Sequence, residues 1–88
     1  MTYTLYVSER LDKLFFKLSK KDKLQFEILT RKINDILENP QIGEPLTGNM
    51  AGQRSVHIRN FVITYEILEN EKAIRLLDYD HHDVVYHK

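Results

Sequence analysis

All three glycines and both prolines of this chain fall between Pro40 and Gly52. Those residues supply the backbone freedom and the forced breaks that end regular structure. The flanks therefore read as regular elements joined by one loop of about a dozen residues, long for a small domain and of a length that is often functional. The hydrophobic period differs across the loop. Before it, apolar residues recur at helical spacing; after it, they alternate.

The front half begins with a β-branched and aromatic run over residues 3–7, the composition of a strand. Ser8 offers an N-cap, and Glu9 follows in the first turn where the helix dipole favours negative charge. Leu11, Leu14, Phe15 and Leu18 then predict a short helix ending near Leu18. Ser19 is expected to cap a second helix, with Asp22 three residues on as a capping-box partner. Leu24, Ile28, Leu29, Ile33, Ile36 and Leu37 form its apolar stripe, and Gln25 lies outside it. Pro40 stops this helix and restricts Asn39 before it.

Beyond the loop, Val56 and Ile58 alternate with Ser55, His57 and Arg59, the pattern of a half-buried strand. Residues 61–67 continue as its hairpin partner. The turn is expected at Arg59-Asn60, with Asn60 tolerating a left-handed conformation. A polar turn at residues 68–72 leads to a last strand over 73–79. Leu46 and Met50 are expected to pin the loop to the core. The order strand, helix, helix, then hairpin and strand predicts an α+β fold. The N-terminal strand and helical hairpin pack on one face of a small, mainly antiparallel sheet. The other face is expected to be uncovered, a natural place for a ligand.

A length of 88 residues fits one domain, 1–88, burying about 60–65% of its unfolded surface. The absence of cysteine excludes a disulfide scaffold and thiolate metal sites, and suits a reducing cytoplasm. No apolar run approaches the length of a membrane span, and no signal-peptide pattern opens the chain. Thirteen basic and thirteen acidic residues cancel, whereas nucleic-acid-binding domains are usually basic.

The groups able to do chemistry are Glu44, Arg54, His57, Arg59, Arg75, His81, His82, Asp83, Tyr86 and His87. Histidine titrates near neutrality and serves both halves of acid–base catalysis. RNA cleavage without a metal requires such a pair. One group takes the proton from a 2′-OH that attacks the adjacent phosphate, another protonates the departing 5′ oxygen, and a cation stabilises the added charge. His57 on a central strand, His82 after the last strand and a nearby arginine meet that requirement. The bland readings stand beside it. His81 and His87 are by default surface histidines, His57 is as readily a solvated strand residue, and Tyr79 and Tyr86 are packing residues. The cluster His81-His82-Asp83-His87 offers a metal site, but its spacing matches no specific zinc motif and no thiolate is available. No metal or cofactor is therefore expected.

These residues resemble the RelE/ParE superfamily of toxins from toxin–antitoxin pairs, and most of all its YafQ-like branch of ribosome-dependent mRNA interferases. The front half is similar in architecture. The back half is similar in motif: Pro45-Leu46-x-Gly48, Gly52-x-Arg54-x-x-His57-Ile58, Phe61-Val62-Ile63-x-Tyr65 and His82-Asp83-Val84-Val85-Tyr86. The resemblance implies a toxin that cleaves mRNA in the ribosomal A site, with an antitoxin protein as partner, in the cytoplasm. It implies catalytic roles for His57 and His82, and for Glu44, which stands where YafQ-like proteins have a histidine and YoeB-like toxins a glutamate. Asn60 and Phe61 occupy the place of an Asp-Trp pair, and Tyr86 that of an aromatic four residues after the second histidine. Many superfamily members carry an arginine where this chain has Val62, so the phosphate-binding cation is expected from Arg54, Arg59 or Arg75. A ParE-like inhibitor of gyrase and a non-catalytic binding module are the alternatives.

Overall fold

The computed structural model describes residues 2–86, with side chains described through residue 84. In chain order the elements are β1 (Thr4–Tyr6), α1 (Glu9–Lys21), α2 (Lys23–Glu38), β2 (Glu44–Pro45), β3 (Arg54–Ile58), β4 (Phe61–Leu68), β5 (Ala73–His81) and α3 (His82–Tyr86). Short 3-10 turns at Pro40–Ile42, Gly48–Met50 and Glu69–Glu71 fill the connections. The expected α+β arrangement is present.

Ser8 caps α1 as its position suggests, accepting the Leu11 N–H at 3.2 Å. The helix does not stop near Leu18 but runs through Lys21. Ser19 caps nothing, because its hydroxyl turns back onto the Phe16 carbonyl at 2.6 Å, a local bond open to a serine inside a helix. Asp22 is the single joint. Its N–H donates to the Leu18 carbonyl at 2.9 Å and its carboxylate accepts the Gln25 N–H at 3.1 Å, so one residue ends α1 and begins α2.

Leu29 and Ile36 of α2 are buried, with Ile28, Ile33 and Leu37 packed beside them. Leu24 is not part of the buried stripe, being 56% exposed. Gln25, expected outside the stripe, is 5% exposed and donates to the Ile58 carbonyl at 3.1 Å and the Tyr79 hydroxyl at 2.9 Å. That satisfied amide replaces an apolar contact between α2 and the hairpin end. Leu11, Leu29 and Ile36 from the helices meet Ile58, Ile63, Tyr65, Ile74, Leu76 and Tyr79 from the sheet. Each aliphatic among them contributes about 1.5–3 kcal/mol by leaving water.

The sheet order is β1-β5-β4-β3-β2, parallel only between β1 and β5. Strand β2 is an addition the sequence did not announce. Strand β5 extends two residues beyond expectation, to His81. Its register against β4 slips between Thr64 and Tyr65, which face Asp78 and Leu76. Leu77 is thus an extra residue, and the side-chain alternation reverses past it. Ile74 and Leu76 face the helices before the slip, and Tyr79 after it. Register thus sets Asp78 and Asp80 opposite Thr64 and Val62, but Asp78 stays within reach of α1 at the strand's edge, where it pairs with Arg10 at 3.6 Å.

The face away from the helices is not bare. Ser55 (2% exposed), Val62 (0%) and Thr64 (1%) lie buried on it. At the hairpin turn the left-handed residue is Arg59, with φ of 61°, rather than Asn60. The loop is pinned differently too. Leu46 and Met50 are only half-buried, whereas Pro40 and Gly43 are buried. The Tyr65 hydroxyl donates to the Pro40 carbonyl at 2.6 Å and accepts the Gly43 N–H at 2.9 Å. Arg54 completes the clamp, donating to the Gly43 carbonyl at 2.6 Å and the Gln41 side chain at 2.8 Å. Among the described residues no helix is long and apolar enough to cross a membrane.

Candidate active site

Registers across the sheet build the site. Glu44 of β2 faces Ser55, which faces Thr64, which faces Asp78. One step toward the hairpin end, His57 faces Val62, which faces Asp80. Directly opposed residues share a face, so these two rows lie on the side away from the helices. His57 and Glu44 are exposed, while Asp78 and Asp80 are half-buried. Strand β4 separates β3 from β5, putting His57 and Asp80 about 10 Å apart between backbones.

His82 enters from the same end. Its N–H donates to the Asn60 carbonyl at 3.0 Å, and its Nδ1 faces that same carbonyl at 3.3 Å. The tip of the β3–β4 hairpin therefore holds the start of α3. His82 Nε2 lies 3.0 Å from Asp83 Oδ1 and His81 Nδ1 lies 3.6 Å from Asp83 Oδ2. The two imidazole rings are 4.7 Å apart between centroids. One end of the sheet thus carries two histidines from different elements, with a buried aliphatic, Val62, on the strand between.

The ParE-like toxin model of type II bacterial toxin–antitoxin systems matches residues 5–88. The chain belongs to the RelE/ParE superfamily. An uncharacterized protein of Methanosarcina mazei is 42% identical, covering 96% of this chain and 99% of its own. A Methanocaldococcus jannaschii protein named "Putative toxin RelE4" is 34% identical, covering 98% and 93%. In the solved RelBE2 toxin–antitoxin complex of Mycobacterium tuberculosis, one chain has the same fold: TM-score 0.73 at 22% identity, covering 93% of this chain and 100% of that one.

The toxin's other expected site residues separate into two groups. Arg59 and Asn60 sit exposed at the hairpin tip, where the Asn60 carbonyl meets His82. Arg54 does not share their face. It alternates with Val56 and Ile58 and is spent on the loop clamp, where its charge also acts on Tyr65. Phe61, with the same parity, stacks on Tyr79 at 5.1 Å and 11° and closes that end of the core. Arg75 lies toward the other end of β5, ion-paired to Glu66 at 2.7 Å, some four residues along β4 from Val62, or about 13 Å. Tyr86 belongs to α3, but its side chain, like all of His87, lies outside the described residues.

Asp78 and Asp80, opposite Thr64 and Val62 in the register, were not singled out in the sequence. Alternation counted forward from Ile74 and Leu76 gives them the same parity as the core residues, and only the extra residue at Leu77 reverses that. His81 is less bland than expected. Its ring stands edge-on to Phe61, with centroids 5.7 Å apart. Burial raises the ionisation of two tyrosines above the ordinary phenol value. For Tyr65 the Gly43 N–H and the Arg54 charge oppose the rise. For Tyr79 the Gln25 bond opposes it and the Asp22 charge adds to it.

Proposed function

We propose that this toxin, one RelE-like domain across residues 1–88, is a cytoplasmic endoribonuclease of the YafQ-like kind that cuts mRNA in the ribosomal A site. The observation that carries the reading is the gathering of His57 and His82 at one end of the sheet, across an aliphatic strand position. His57 and His82 divide the proton transfers. One removes the proton of the 2′-OH as its oxygen attacks phosphorus; the other protonates the 5′ oxygen as the P–O bond breaks. The products are a 2′,3′-cyclic phosphate and a 5′-OH end. No metal is required for these transfers. Glu44 serves as an auxiliary base or orienting group at the far end of the neighbouring row. Arg59 is the cation for the phosphorane, being exposed at the hairpin tip while Arg54 and Arg75 are engaged elsewhere. Asn60 and Tyr86 complete the substrate contacts at that end, and Phe61, packed on Tyr79, supports them from the core side.

The partner is a cognate antitoxin, a reading that the toxin–antitoxin complex of the M. tuberculosis protein supports, and it would act by covering the histidine face. The net charge of zero favours RNA delivered by the ribosome over RNA captured from solution.

The test is growth arrest on induction. Wild-type toxin is expected to arrest cells and cleave transcripts, while His57→Ala and His82→Ala each allow growth. Equal toxicity of all three proteins rejects the assignment. The ParE-like description of the matching family favours one rival, inhibition of DNA gyrase. Induced DNA damage with intact transcripts would establish that rival instead.

A further inference from the structure

His81, His82 and Asp83 present three metal-ligating groups whose donor atoms all lie within 4.8 Å of one another. Three consecutive residues achieve this because the chain changes from strand to helix between His81 and His82. Alternation would otherwise send neighbouring side chains to opposite faces.

Zinc bound by imidazole nitrogen and carboxylate oxygen at about 2.0–2.2 Å in tetrahedral geometry sets its ligands about 3.4 Å apart. The two nitrogen–oxygen separations here are 3.0 Å, from His82 Nε2 to Asp83 Oδ1, and 3.6 Å, from His81 Nδ1 to Asp83 Oδ2. Each ring thus meets its own oxygen, and Asp83 must turn to bring one oxygen, or both as a chelate, to a shared metal. The Asp83 N–H donates to His81 Nδ1 at 3.3 Å, so that nitrogen is unprotonated, and a bound metal would displace this long contact to take its single lone pair. His82 turns Nδ1 to the Asn60 carbonyl at 3.3 Å. A metal-bound histidine characteristically donates its other ring N–H to such a carbonyl. With Nδ1 so occupied, Nε2 faces the Asp83 carboxylate and holds either a proton or a metal there. The side chains of His81, His82 and Asp83 are 40%, 45% and 68% exposed, which leaves an entry path and an open coordination position.

We propose that His81, His82 and Asp83 form a zinc site whose occupation switches the toxin off by taking the Nε2 lone pair of His82. The site itself stands on its geometry. The inhibition rests on His82 serving the nuclease reaction proposed above.

The test uses tag-free full-length toxin, titrated with ZnCl2 by calorimetry and with Co2+ by visible spectroscopy. One Zn2+ per chain is expected, with tetrahedral Co2+ bands. His81→Ala and Asp83→Asn should each weaken binding at least about ten-fold. No binding, or equal binding by wild type and His81→Ala, overturns the site. Ribosome-dependent mRNA cleavage is then measured with Zn2+ and with a chelator. Wild-type cleavage should fall with Zn2+ and return with the chelator, while His81→Ala, outside the reaction, cleaves equally in both. Zinc binding without loss of cleavage, or with a gain, overturns the inhibition. Absence of cleavage even in chelator defeats the nuclease reading instead, and calorimetry still decides the site.

Discussion

Gly43 shows how much rests on one missing side chain. Its backbone is ordinary extended chain, with φ of −71° and ψ of 145°, so conformational freedom is not what it supplies. What it supplies is space, since a Cβ there would run into the Tyr65 hydroxyl and ring. Gly43→Ala must displace the ring or the loop and break the clamp to Gly43 and Pro40. We expect a loss on the order of 3 kcal/mol, from overpacking and unpaired buried groups together, read as a lower urea midpoint. Tyr65→Phe removes only the hydroxyl and should cost about 1–3 kcal/mol, because the Gly43 N–H and the Pro40 carbonyl lose their buried partner. Arg54 belongs to the same knot. The family motif drew it toward the substrate, yet its parity with Val56 and Ile58 was visible in the sequence and already put it on the side away from His57.

At the scale of elements, the sequence showed the type of each major element and missed their joints. Pro40 ended α2 where expected because a proline there leaves the chain no choice. Asp22 and Ser19 both cap helices well in isolation, and only the tertiary position of Gln25 favours the later start. That buried amide was illegible because its partners, Ile58 and Tyr79, are 33 and 54 residues away. Gln25→Ala should cost about 2 kcal/mol, mostly through the unpaired Ile58 carbonyl. Asp22→Asn keeps the cap and should change stability by less than about 0.5 kcal/mol. Chemical denaturation of the two variants checks the contrast. The histidine end follows the same division. His57 and His82 were legible as residue types, whereas their shared end depends on β5 running on to His81. Asp78 and Asp80 were hidden because a one-residue slip leaves no compositional mark.

Over the whole molecule, two tyrosines join the layers. Tyr65 ties the central strand to the loop, and Tyr79 ties β5 to α2 through Gln25 and to α1 through Phe15, edge-on at 5.7 Å. Both ring hydroxyls are pushed above the usual phenol value of 10.0, chiefly because burial disfavours the phenolate. Folding therefore keeps their protons past the pH at which the unfolded chain releases them. Below about pH 10 this linkage is fully in place and contributes no slope. Above that value the unfolded state binds fewer protons than the native one, so stability must fall as pH rises toward the folded-state values. Each tyrosine contributes at most about 1.4 kcal/mol per pH unit over that window. Urea midpoints should stay free of any slope from these groups up to about pH 9, and drop steeply above about pH 10. The drop should coincide with a cooperative rise in phenolate absorbance and loss of helical signal. Tyr79→Phe should be less stable at neutral pH but lose less on going alkaline, since one of the two linked protons is gone. An alkaline limb of unchanged steepness in both Tyr65→Phe and Tyr79→Phe would show that other groups control it and that these buried hydroxyls are not what binds the helical layer and loop to the sheet.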